Sequence, residues 1–358
     1  MSNYIDLNNN GRLFPSWILS NFKDFYLEKN VIKDGEDPCK IKTKLELRKF
    51  QKFISSYLDY RSPYKEILLY HGLGSGKTAT TINLINVLYN FNPYWNVFIL
   101  IKASLKGSWE DEIKKWLSKD EYELRKKNLK FINYDSPFAD KNFLDAIKES
   151  DSTKKNFFII DEAHNFINNL YNNIISKTGK RAFVIYDYIL KEKIETPDTM
   201  IVLMSGTPAV NNPFELALIF NLMRPGIFPN SELKFNEIYI KSNQLSSDMK
   251  NTFIRRIIGL VSYYSGADKQ LFAEKRVQFV YCKFHEKQQK TYEHFELIEN
   301  KLDKNRFSNK VSSTYKSFTR QSSNFTFPTI SSKINGESRP RPSTFKLDES
   351  VIQKMLEG

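Results

Sequence analysis

The sequence predicts an α/β fold in which a parallel β-sheet is covered by helices. Four short, uninterrupted apolar runs carry this prediction, at Glu66–Tyr70, Val97–Ile101, Phe157–Ile160 and Met200–Met204. Strands that are buried on both faces have continuous apolar runs rather than alternating ones. Polar or helical sequence follows each run, and this order of strand and helix is typical of a parallel sheet.

Apolar residues recur at helical spacing between the predicted strands. We expect helices over Thr78–Leu88, Trp109–Leu117, Lys141–Glu149 and Arg181–Glu192, and a further one upstream within Leu45–Tyr60. This spacing makes one face of each helix apolar, so that the helices would pack against the sheet.

Composition and charge limit the class of protein. Of the 358 residues, 41% are hydrophobic, so a packed core is expected rather than disorder. Lysine and arginine total 54 against 41 aspartate and glutamate, a formal charge of +13, which favours a polyanionic partner such as nucleic acid. A solvated lysine-rich surface is the alternative interpretation, and charge alone does not separate DNA from RNA.

Cysteine content and apolar runs bear on the compartment. Cys39 and Cys282 are too few for a disulfide framework or a zinc site, so a reducing compartment is expected. Met1–Gly11 lacks the apolar core of a signal peptide, and no apolar run approaches the roughly 20 residues that span a bilayer. We therefore expect a soluble protein that is not secreted.

A glycine-rich loop lies between the first predicted strand and the helix that follows. It consists of Gly74, Ser75, Gly76, Lys77 and Thr78. Backbone amides of such a loop ring the phosphates of a nucleotide, and the helix N-terminus adds the positive end of its dipole. Lys77 would reach the β- and γ-phosphates, and the Thr78 hydroxyl would bind Mg²⁺. A glycine-rich turn with a chance lysine is the alternative.

One position departs from the full phosphate-loop pattern. The pattern G-x-x-x-x-G-K-[ST] places glycine at position 71, whereas this chain has His71, and the glycine follows as Gly72. The core Gly74–Thr78 is intact, and we expect that core to hold the phosphates.

Two carboxylates follow the buried run Phe157–Ile160. Asp161 and Glu162 end that predicted strand, and His164 comes two residues later. Ligands of parallel sheets bind at the carboxyl ends of the strands, so this box is expected beside the phosphate loop. Asp161 would hold Mg²⁺, Glu162 would orient or deprotonate the attacking water, and His164 would hydrogen-bond toward the next motif. Taken alone, the same residues also fit a solvated helix start.

A third polar motif follows the run Met200–Met204. It reads Ser205-Gly206-Thr207-Pro208. Hydroxyls at a strand end beside the carboxylates would sense the γ-phosphate, so we interpret Ser205 and Thr207 as coupling residues. A polar turn ended by proline is the alternative when the motif is considered alone.

The three motifs in this order resemble superfamily 2 helicases of the DEAD/DEAH type, in particular the branch of chromatin-remodelling translocases. Leu47–Gln51 resembles the upstream Q motif of that family. Ala103–Trp109, continuing to Glu112 and Trp116, resembles the segment that touches the nucleic-acid backbone. The resemblance covers roughly residues 41–330.

Within this branch, the chain is similar to the form found in large nucleocytoplasmic DNA viruses. That group includes the poxvirus DNA-dependent nucleoside triphosphatase and the ATPase subunit of the poxvirus early transcription factor. The similar segments are Leu69–Thr78, Asn221–Pro225, Gly259–Tyr264 and Asn324–Pro328. His71 conforms to this viral group although it departs from the general pattern.

The resemblance implies that the site acts on ATP, Mg²⁺ and nucleic acid. Gln51 would recognise adenine. Lys102, Ser104 and Lys106 would contact the nucleic-acid backbone, which positions a polymer without reading its sequence. Two departures bear on these roles, because Lys102 stands where proline is often found and Gly206 stands where alanine is usual.

The resemblance also implies two RecA-like lobes with ATP between them, the second supplying arginines that stabilise the transferred phosphate. This chain is expected to hold the first RecA-like P-loop NTPase lobe and only the start of the second. The rest would lie in cis in a longer chain or in trans. The expected divisions are an irregular N-terminal tail at 1–40, the first lobe at 41–225, a helical extension at 226–275, the start of the second lobe at 276–304, and a Ser/Thr/Pro-rich linker or incomplete second-lobe segment at 305–358.

Three local expectations belong to the later part of the chain. Val277–Lys283 has the apolar character of another strand, and His285–Leu302 that of a charged helix. Tyr263 and Tyr264 are interpreted as core residues.

Together these motifs predict an ATP hydrolase in which Lys77, Asp161 and Glu162 are catalytic. Because the second lobe is expected to be incomplete, this chain by itself would hydrolyse ATP weakly. The expected function is translocation on duplex DNA in viral transcription or genome handling, in the virion or in viral factories of the host cytoplasm. The alternatives are a helicase on single-stranded DNA or RNA, a truncated non-catalytic scaffold subunit, and a P-loop kinase or other metabolic ATPase.

Overall fold

Two units make up the chain, Met1–Glu274 and Lys275–Gly358. The computed structural model describes residues 4–27, 46–91, 95–176, 179–209, 211–241, 244–266, 276–306 and 317–324. Within these ranges, every helix is too short or too polar to cross a bilayer.

Strands and helices alternate through most of the first unit. Its strands are β1 (Glu66–His71), β2 (Trp95–Ile101), β3 (Leu129–Asn133), β4 (Lys155–Ile160), β5 (Met200–Ser205), β6 (Ile240–Lys241), β7 (Gln244–Leu245) and β8 (Val261–Tyr264). Its helices are α1 (Leu7–Asn10), α2 (Phe14–Asn21), α3 (Lys49–Tyr57), α4 (Lys77–Phe91), α5 (Lys106–Trp116), α6 (Lys119–Lys126), α7 (Ala139–Lys148), α8 (Ala163–Ser176), α9 (Arg181–Glu195), α10 (Phe214–Met223), α11 (Glu232–Tyr239) and α12 (Lys250–Arg256).

The main sheet has six strands in the order β3-β2-β4-β5-β1-β8. Every neighbouring pair is parallel. All seven residues of β2 and all six of β5 are buried, which is why these strands have continuous apolar runs. The predicted α/β fold with a parallel sheet is therefore confirmed. The four strands and five helices expected within the first unit are all present, with ends shifted by a few residues.

Both faces of the sheet are covered. Successive residues of one strand enter different clusters, so that Phe158 packs with Phe166 and Ile185 on one face. On the other face, Ile159 packs with Ile85 and Trp109. Since side chains alternate along a strand, helices α8 and α9 cover the first face, and α4 and α5 cover the second.

Two edge strands, β3 and β8, were not predicted. β3 is mostly half-buried and carries polar residues, so it lacks a continuous apolar run. Among the described strands, β8 pairs with β1 alone, and it lies inside the stretch expected to be a helical extension. Tyr263 on β8 is 66% exposed, so the expectation that it belongs to the core is wrong, because an edge strand leaves a side chain open to solvent. Tyr264 is half-buried and stacks on Phe50 with ring centroids 4.0 Å apart.

The N-terminal segment is ordered into short helices, contrary to the expectation of an irregular tail. Trp17 on α2 lies with its ring centroid 5.6 Å from that of Tyr64 and 5.4 Å from that of Phe22. Phe22 in turn packs on Phe53 of α3 at 5.1 Å. Aromatic side chains scattered among polar residues form this cluster, and their spacing gave no periodic signal. Residues 28–40 of the expected tail lie outside the described ranges.

The second unit contains two described helices, α13 (Glu286–Arg306) and α14 (Ser317–Asn324). The Glu299 carboxylate on α13 accepts hydrogen bonds from the backbone N–H groups of Phe318 (2.9 Å) and Thr319 (3.3 Å), which caps α14 and favours its N-terminus electrostatically. Residues 317–324 are therefore helical, and the expectation of a linker or an incomplete second-lobe segment over 305–358 stays a prediction. The rest of it, 307–316 and 325–358, lies outside the described residues, as does most of the viral-type segment Asn324–Pro328.

The expected strand Val277–Lys283 is not a strand in the structure. Phe279 is 79% exposed and Tyr281 is 95% exposed. A strand requires a hydrogen-bonded neighbour, and none of the described residues supplies one to this segment. The predicted charged helix after it is confirmed as α13.

Candidate nucleotide site

The three sequence motifs meet at one edge of the main sheet. The strands β4, β5 and β1 are adjacent and parallel, so their carboxyl ends lie side by side. The phosphate loop follows β1, Asp161 follows β4, and Ser205 ends β5. The sequence-predicted convergence is therefore present, at the edge where parallel sheets bind ligands.

Two glycines, Gly72 before the loop and Gly76 within it, have close neighbours where a side chain would begin. A Cβ at Gly72 would lie 2.6 Å from the backbone oxygen of Ser265, just beyond β8, and the Gly72 N–H donates to the oxygen of Tyr264 at 2.8 Å. Gly76 has a left-handed φ of 77°, and a Cβ there would lie 2.6 Å from Nε2 of Gln51. The close approach of the chain after β8 therefore explains why glycine is needed at position 72.

Gln51 on α3 is bound to the loop. Its Nε2 donates to the backbone oxygens of Ser75 and Gly76, both at 3.2 Å, and its Oε1 accepts from the N–H of Arg48 at 2.7 Å. The side chain is 5% exposed. Gln51 thus holds the shape of the phosphate loop, and adenine recognition by Gln51 stays a prediction.

Replacing Gln51 by alanine is expected to loosen the loop. Loss of a side chain that satisfies buried backbone groups lowers the free energy of unfolding by about 1–3 kcal/mol. We expect ATP affinity to fall several-fold as the loop becomes less ordered, measured by urea unfolding and by binding of a fluorescent ATP analogue. Lys52→Ala, at an exposed position of the same helix, is the control. Unchanged stability and affinity in Gln51→Ala would show that the loop keeps its shape unaided.

His71 ends β1 beneath the loop and is fully buried. Its Nε2 lies 2.9 Å from Oγ of Ser262 on β8. Burial, with the nearby Lys77 as a smaller cause, lowers the pKa of His71 to about 4, so the ring is neutral at physiological pH. The Lys77 ammonium donates to the backbone oxygens of His71 (3.0 Å) and Gly72 (3.4 Å). A neutral ring therefore places no second cation beside Lys77.

Acidification is expected to destabilise the protein through His71. Its folded pKa of about 4 lies below the ordinary value of 6.5, so the unfolded chain binds more protons between these values. The free energy of unfolding is therefore highest above pH 6.5 and decreases as the pH falls toward 4. Between pH 7 and pH 5 this decrease is about 2 kcal/mol. Urea unfolding at both pH values should show a smaller decrease in the free energy of unfolding for His71→Gln than for the wild type. Equal losses in the two proteins would contradict this assignment.

Asp161 and Glu162 are held in different environments. Asp161 is buried, and burial is the largest cause that raises its pKa, against an opposing hydrogen bond from Trp109. Its Oδ2 accepts from the Trp109 indole N–H at 2.8 Å and its Oδ1 accepts from the Glu162 N–H at 2.9 Å. Glu162 has a left-handed φ of 47°, the only positive φ among described residues other than glycine. Such a backbone is uncommon outside glycine, and it fixes the direction in which Glu162 leaves the strand.

His164 connects the acidic box with the third motif. Its Nδ1 lies 2.9 Å from Oγ of Ser205 and 3.3 Å from Oε2 of Glu162. Burial is the largest cause that lowers the pKa of His164, which favours the neutral ring. Since the Asn165 amide donates to Nε2 at 3.0 Å, the remaining proton lies on Nδ1 and points toward Ser205 and Glu162. Ser205 Oγ also accepts from the N–H of Thr207 at 3.0 Å, so a hydrogen-bonded chain joins the two motifs.

An open cleft of about 490 Å³ lies beside this network. It is lined by Leu73, Lys102, Ser104, Leu105, Glu162, His164, Asn165, Gly206 and Thr207. The structure therefore brings Lys102 and Ser104 together with the acidic box. Lys106 is not among the lining residues, and its Nζ lies 3.9 Å from Glu110 on the exposed side of α5.

A Cβ at Gly206 would meet only ordinary contacts of 3.7 Å or more, so the alanine that is usual there would also fit.

The donor set fits a nucleotide with Mg²⁺. The described residues include no group of three or more His, Cys, Asp or Glu side chains suited to a metal. Mg²⁺ is commonly held by one or two protein oxygens together with phosphates and water, and Thr78 and Asp161 are the residues that would supply them. Ser75 Oγ is buried and has no hydrogen-bond partner among the described residues, so it is open to a bound group.

Two contacts of this site were not foreseen from the sequence. Trp109 was noted only as part of a nucleic-acid segment, yet its indole touches Asp161. Ser262 lay in a viral-type segment, yet it partners His71. Both contacts join residues distant in the chain, so no local sequence signal could have found them.

A phosphate loop, an acidic box and a hydroxyl motif on neighbouring parallel strands define a P-loop ATPase lobe of the helicase type. Residues 51–336 match the family described as SNF2-related domain. The chain belongs to this family, which confirms the predicted resemblance to superfamily 2 ATPases.

The relatives include two proteins of Acanthamoeba polyphaga mimivirus, each named "Putative ATP-dependent RNA helicase". One is 50% identical over 99% of this chain and 45% of its own length. The other is 29% identical over 80% of this chain and 53% of its own length. The chain thus spans about half the length of these curated relatives.

Solved structures with a similar fold include two from Sulfolobus solfataricus. The SWI2/SNF2 ATPase core in complex with dsDNA has a TM-score of 0.47 at 20% identity, covering 78% of this chain and 57% of that one. The SWI2/SNF2 ATPase core domain has a TM-score of 0.44 at 17% identity, covering 81% and 57%.

Proposed function

We propose that this chain is the ATP-binding lobe of a motor that hydrolyses ATP while moving along duplex DNA. The observation that carries the proposal is the cleft that holds Glu162 and His164 together with Lys102 and Ser104. A cation and a hydroxyl beside the acidic box suit a phosphate backbone next to the site of hydrolysis. Membership of the SNF2-related family supports the same function.

Each catalytic role follows from the position of the side chain. Lys77 stands at the start of α4, where it can exchange its loop carbonyls for the β- and γ-phosphates. Glu162 points into the cleft and is the residue to orient or deprotonate water. Mg²⁺, when bound through Thr78 and Asp161, would neutralise charge on the phosphates. His164, Ser205 and Thr207 form the hydrogen-bonded chain that would report the nucleotide state.

The nucleic-acid contacts are proposed at Lys102 and Ser104 rather than at Lys106. Lys102 precedes the turn Ala103–Leu105 and lines the cleft, while Lys106 faces Glu110 outside it. Contacts of this kind hold a backbone in register without reading bases. Affinity should therefore fall as salt rises.

The proposal includes a second lobe. The chain spans about half of its mimivirus relatives, and Phe279 and Tyr281 in the second unit are exposed apolar residues that a further sheet would bury. We expect weak hydrolysis by this chain alone and full activity with that lobe, supplied in cis or in trans. A non-catalytic scaffold is the alternative, and the intact loop and acidic box speak against it.

A second candidate is RNA unwinding. Both mimivirus relatives are named as RNA helicases, and the cleft has no feature that separates DNA from RNA. The same relatives favour a role in a large DNA virus, in transcription or genome handling, in the virion or in cytoplasmic viral factories.

The test is ATP hydrolysis by the purified chain without nucleic acid, and with single-stranded DNA, duplex DNA and RNA. Stimulation by duplex DNA that is lost in Lys102→Ala, and kept in Lys148→Ala on α7, would support the proposal. Stimulation by RNA alone would favour the second candidate. ATP binding without turnover in every condition would mean that catalysis requires the second lobe, and absence of ATP binding would overturn the proposal.

A further inference from the structure

The indole of Trp109 is bound to the carboxylate of Asp161 inside the first unit. The distance between Trp109 Nε1 and Asp161 Oδ2 is 2.8 Å. Trp109 is 1% exposed and Asp161 is 6% exposed, so water does not compete for this hydrogen bond. An indole N–H can only donate, so this contact favours the charged carboxylate.

The two oxygens of Asp161 are each fixed by one donor. Trp109 holds Oδ2, and the backbone N–H of Glu162 holds Oδ1 at 2.9 Å. The carboxylate plane is thereby set before any ligand arrives. Trp109 lies on α5 and is packed among buried apolar side chains, including Ile99 and Ile113, so the indole has no freedom to turn away.

Helix α5 connects this hydrogen bond with the cleft. The turn Ala103–Leu105 leads directly into α5, and Ser104 and Leu105 line the cleft. Leu105 and Trp109 are four residues apart, so they lie on the same face of the helical segment. A polymer backbone bound at Ser104 would therefore contact the segment that leads into the helix that orients Asp161.

We propose that Trp109 is a positioning residue that couples occupation of the cleft by a nucleic-acid backbone to the carboxylate that holds Mg²⁺. This inference rests on the proposed function. It assigns the route by which the polymer stimulates hydrolysis to one indole–carboxylate hydrogen bond.

The same helix offers a matched control. Trp116 donates from its Nε1 to Oε1 of Glu112 at 2.9 Å, which is also an indole–carboxylate hydrogen bond. Trp116 is only half-buried and its partner lies on α5 itself, so this bond links α5 to no other element. Trp116→Phe therefore removes the same kind of bond without touching Asp161.

The experiment compares Trp109→Phe with Trp116→Phe in two measurements. The first is equilibrium binding of a fluorescent ATP analogue as a function of Mg²⁺ without nucleic acid, which needs no turnover. We expect the Mg²⁺ concentration at half-saturation to rise about tenfold in Trp109→Phe, since a hydrogen bond to a charged group is lost. The second is stimulation of ATP hydrolysis by the nucleic acid that activates the wild-type chain, which should fall about fivefold or more in Trp109→Phe. Trp116→Phe should match the wild type in the Mg²⁺ titration, and Lys148→Ala on α7 should match it in the stimulation by nucleic acid.

A second variant separates the loss of the hydrogen bond from the loss of packing. Replacing Trp109 by the benzothienyl analogue of tryptophan keeps the bicyclic shape and removes the N–H. It should reproduce both effects of Trp109→Phe, with a smaller fall in melting temperature than Trp109→Phe because the packing is kept. Wild-type values in this analogue, with normal stimulation of the wild-type chain, would overturn the inference and leave the proposed function standing. Turnover by the wild-type chain that no nucleic acid stimulates would overturn the coupling and count against the proposed function, and the Mg²⁺ titration would still test the positioning of Asp161.

Discussion

Lys77→Ala is expected to lower ATP hydrolysis by about a thousandfold. The ammonium is the only cation that the structure places within the phosphate loop itself, where it is bound to the oxygens of His71 and Gly72. Without nucleotide these carbonyls satisfy it, and phosphate oxygens would replace them on binding. Removal of the Lys77 charge destabilises the transition state of hydrolysis, because negative charge develops there on the transferred phosphoryl group.

The measurement is steady-state hydrolysis under whichever condition gives the highest wild-type rate, together with ATP binding at equilibrium. Lys52→Ala on α3 is the matched control, because it removes an exposed lysine next to Gln51 in the chain. Hydrolysis by Lys77→Ala within tenfold of the wild type would show that the phosphates bind elsewhere.

Glu162→Gln should separate binding from hydrolysis. Loss of a general base lowers the rate by about 10²–10⁴-fold. Glutamine keeps the size of the side chain and is no worse than glutamate at the left-handed φ of 47°, so the strand end should keep its shape. We therefore expect ATP affinity within a few-fold of the wild type, with turnover almost abolished.

The control for Glu162→Gln is Glu110→Gln on α5, a carboxylate at the surface. A rapid-quench assay of a single turnover would show whether the chemical step itself is slow in Glu162→Gln. If the single-turnover rate were unchanged, Glu162 would have no part in the water attack, and the acidic box would serve the metal alone.

The sequence predicted the central part of the sheet and the composition of the site. The runs that became β1, β2, β4 and β5 are buried on both faces, so their apolar character is continuous and visible. The polar motifs end or follow these strands, at Gly74–Thr78, Asp161 and Ser205. Because adjacent parallel strands end at the same edge of the sheet, the order of strands and motifs along the chain was enough to predict that the motifs meet.

What sequence reasoning missed depends on distant contacts. β3 and β8 are edge strands, each with one neighbour among the described strands, so their side chains are mostly half-buried and carry no periodic signal. Val277–Lys283 shows the opposite error, because an apolar run became an exposed segment without a described neighbour. The bonds Trp109–Asp161 and His71–Ser262 join residues far apart in sequence, and only the fold places them in contact.

The aromatic cluster of the N-terminal helices affects how the first unit can be handled. Trp17 and Phe22 cover the rings of Tyr64 and Phe53, so a fragment that begins at residue 41 would leave these rings uncovered. Contiguous apolar surface of this kind promotes self-association. A shortened protein would therefore lose solubility before it lost its nucleotide site, and screening fragments for soluble expression would favour those that keep the first 27 residues.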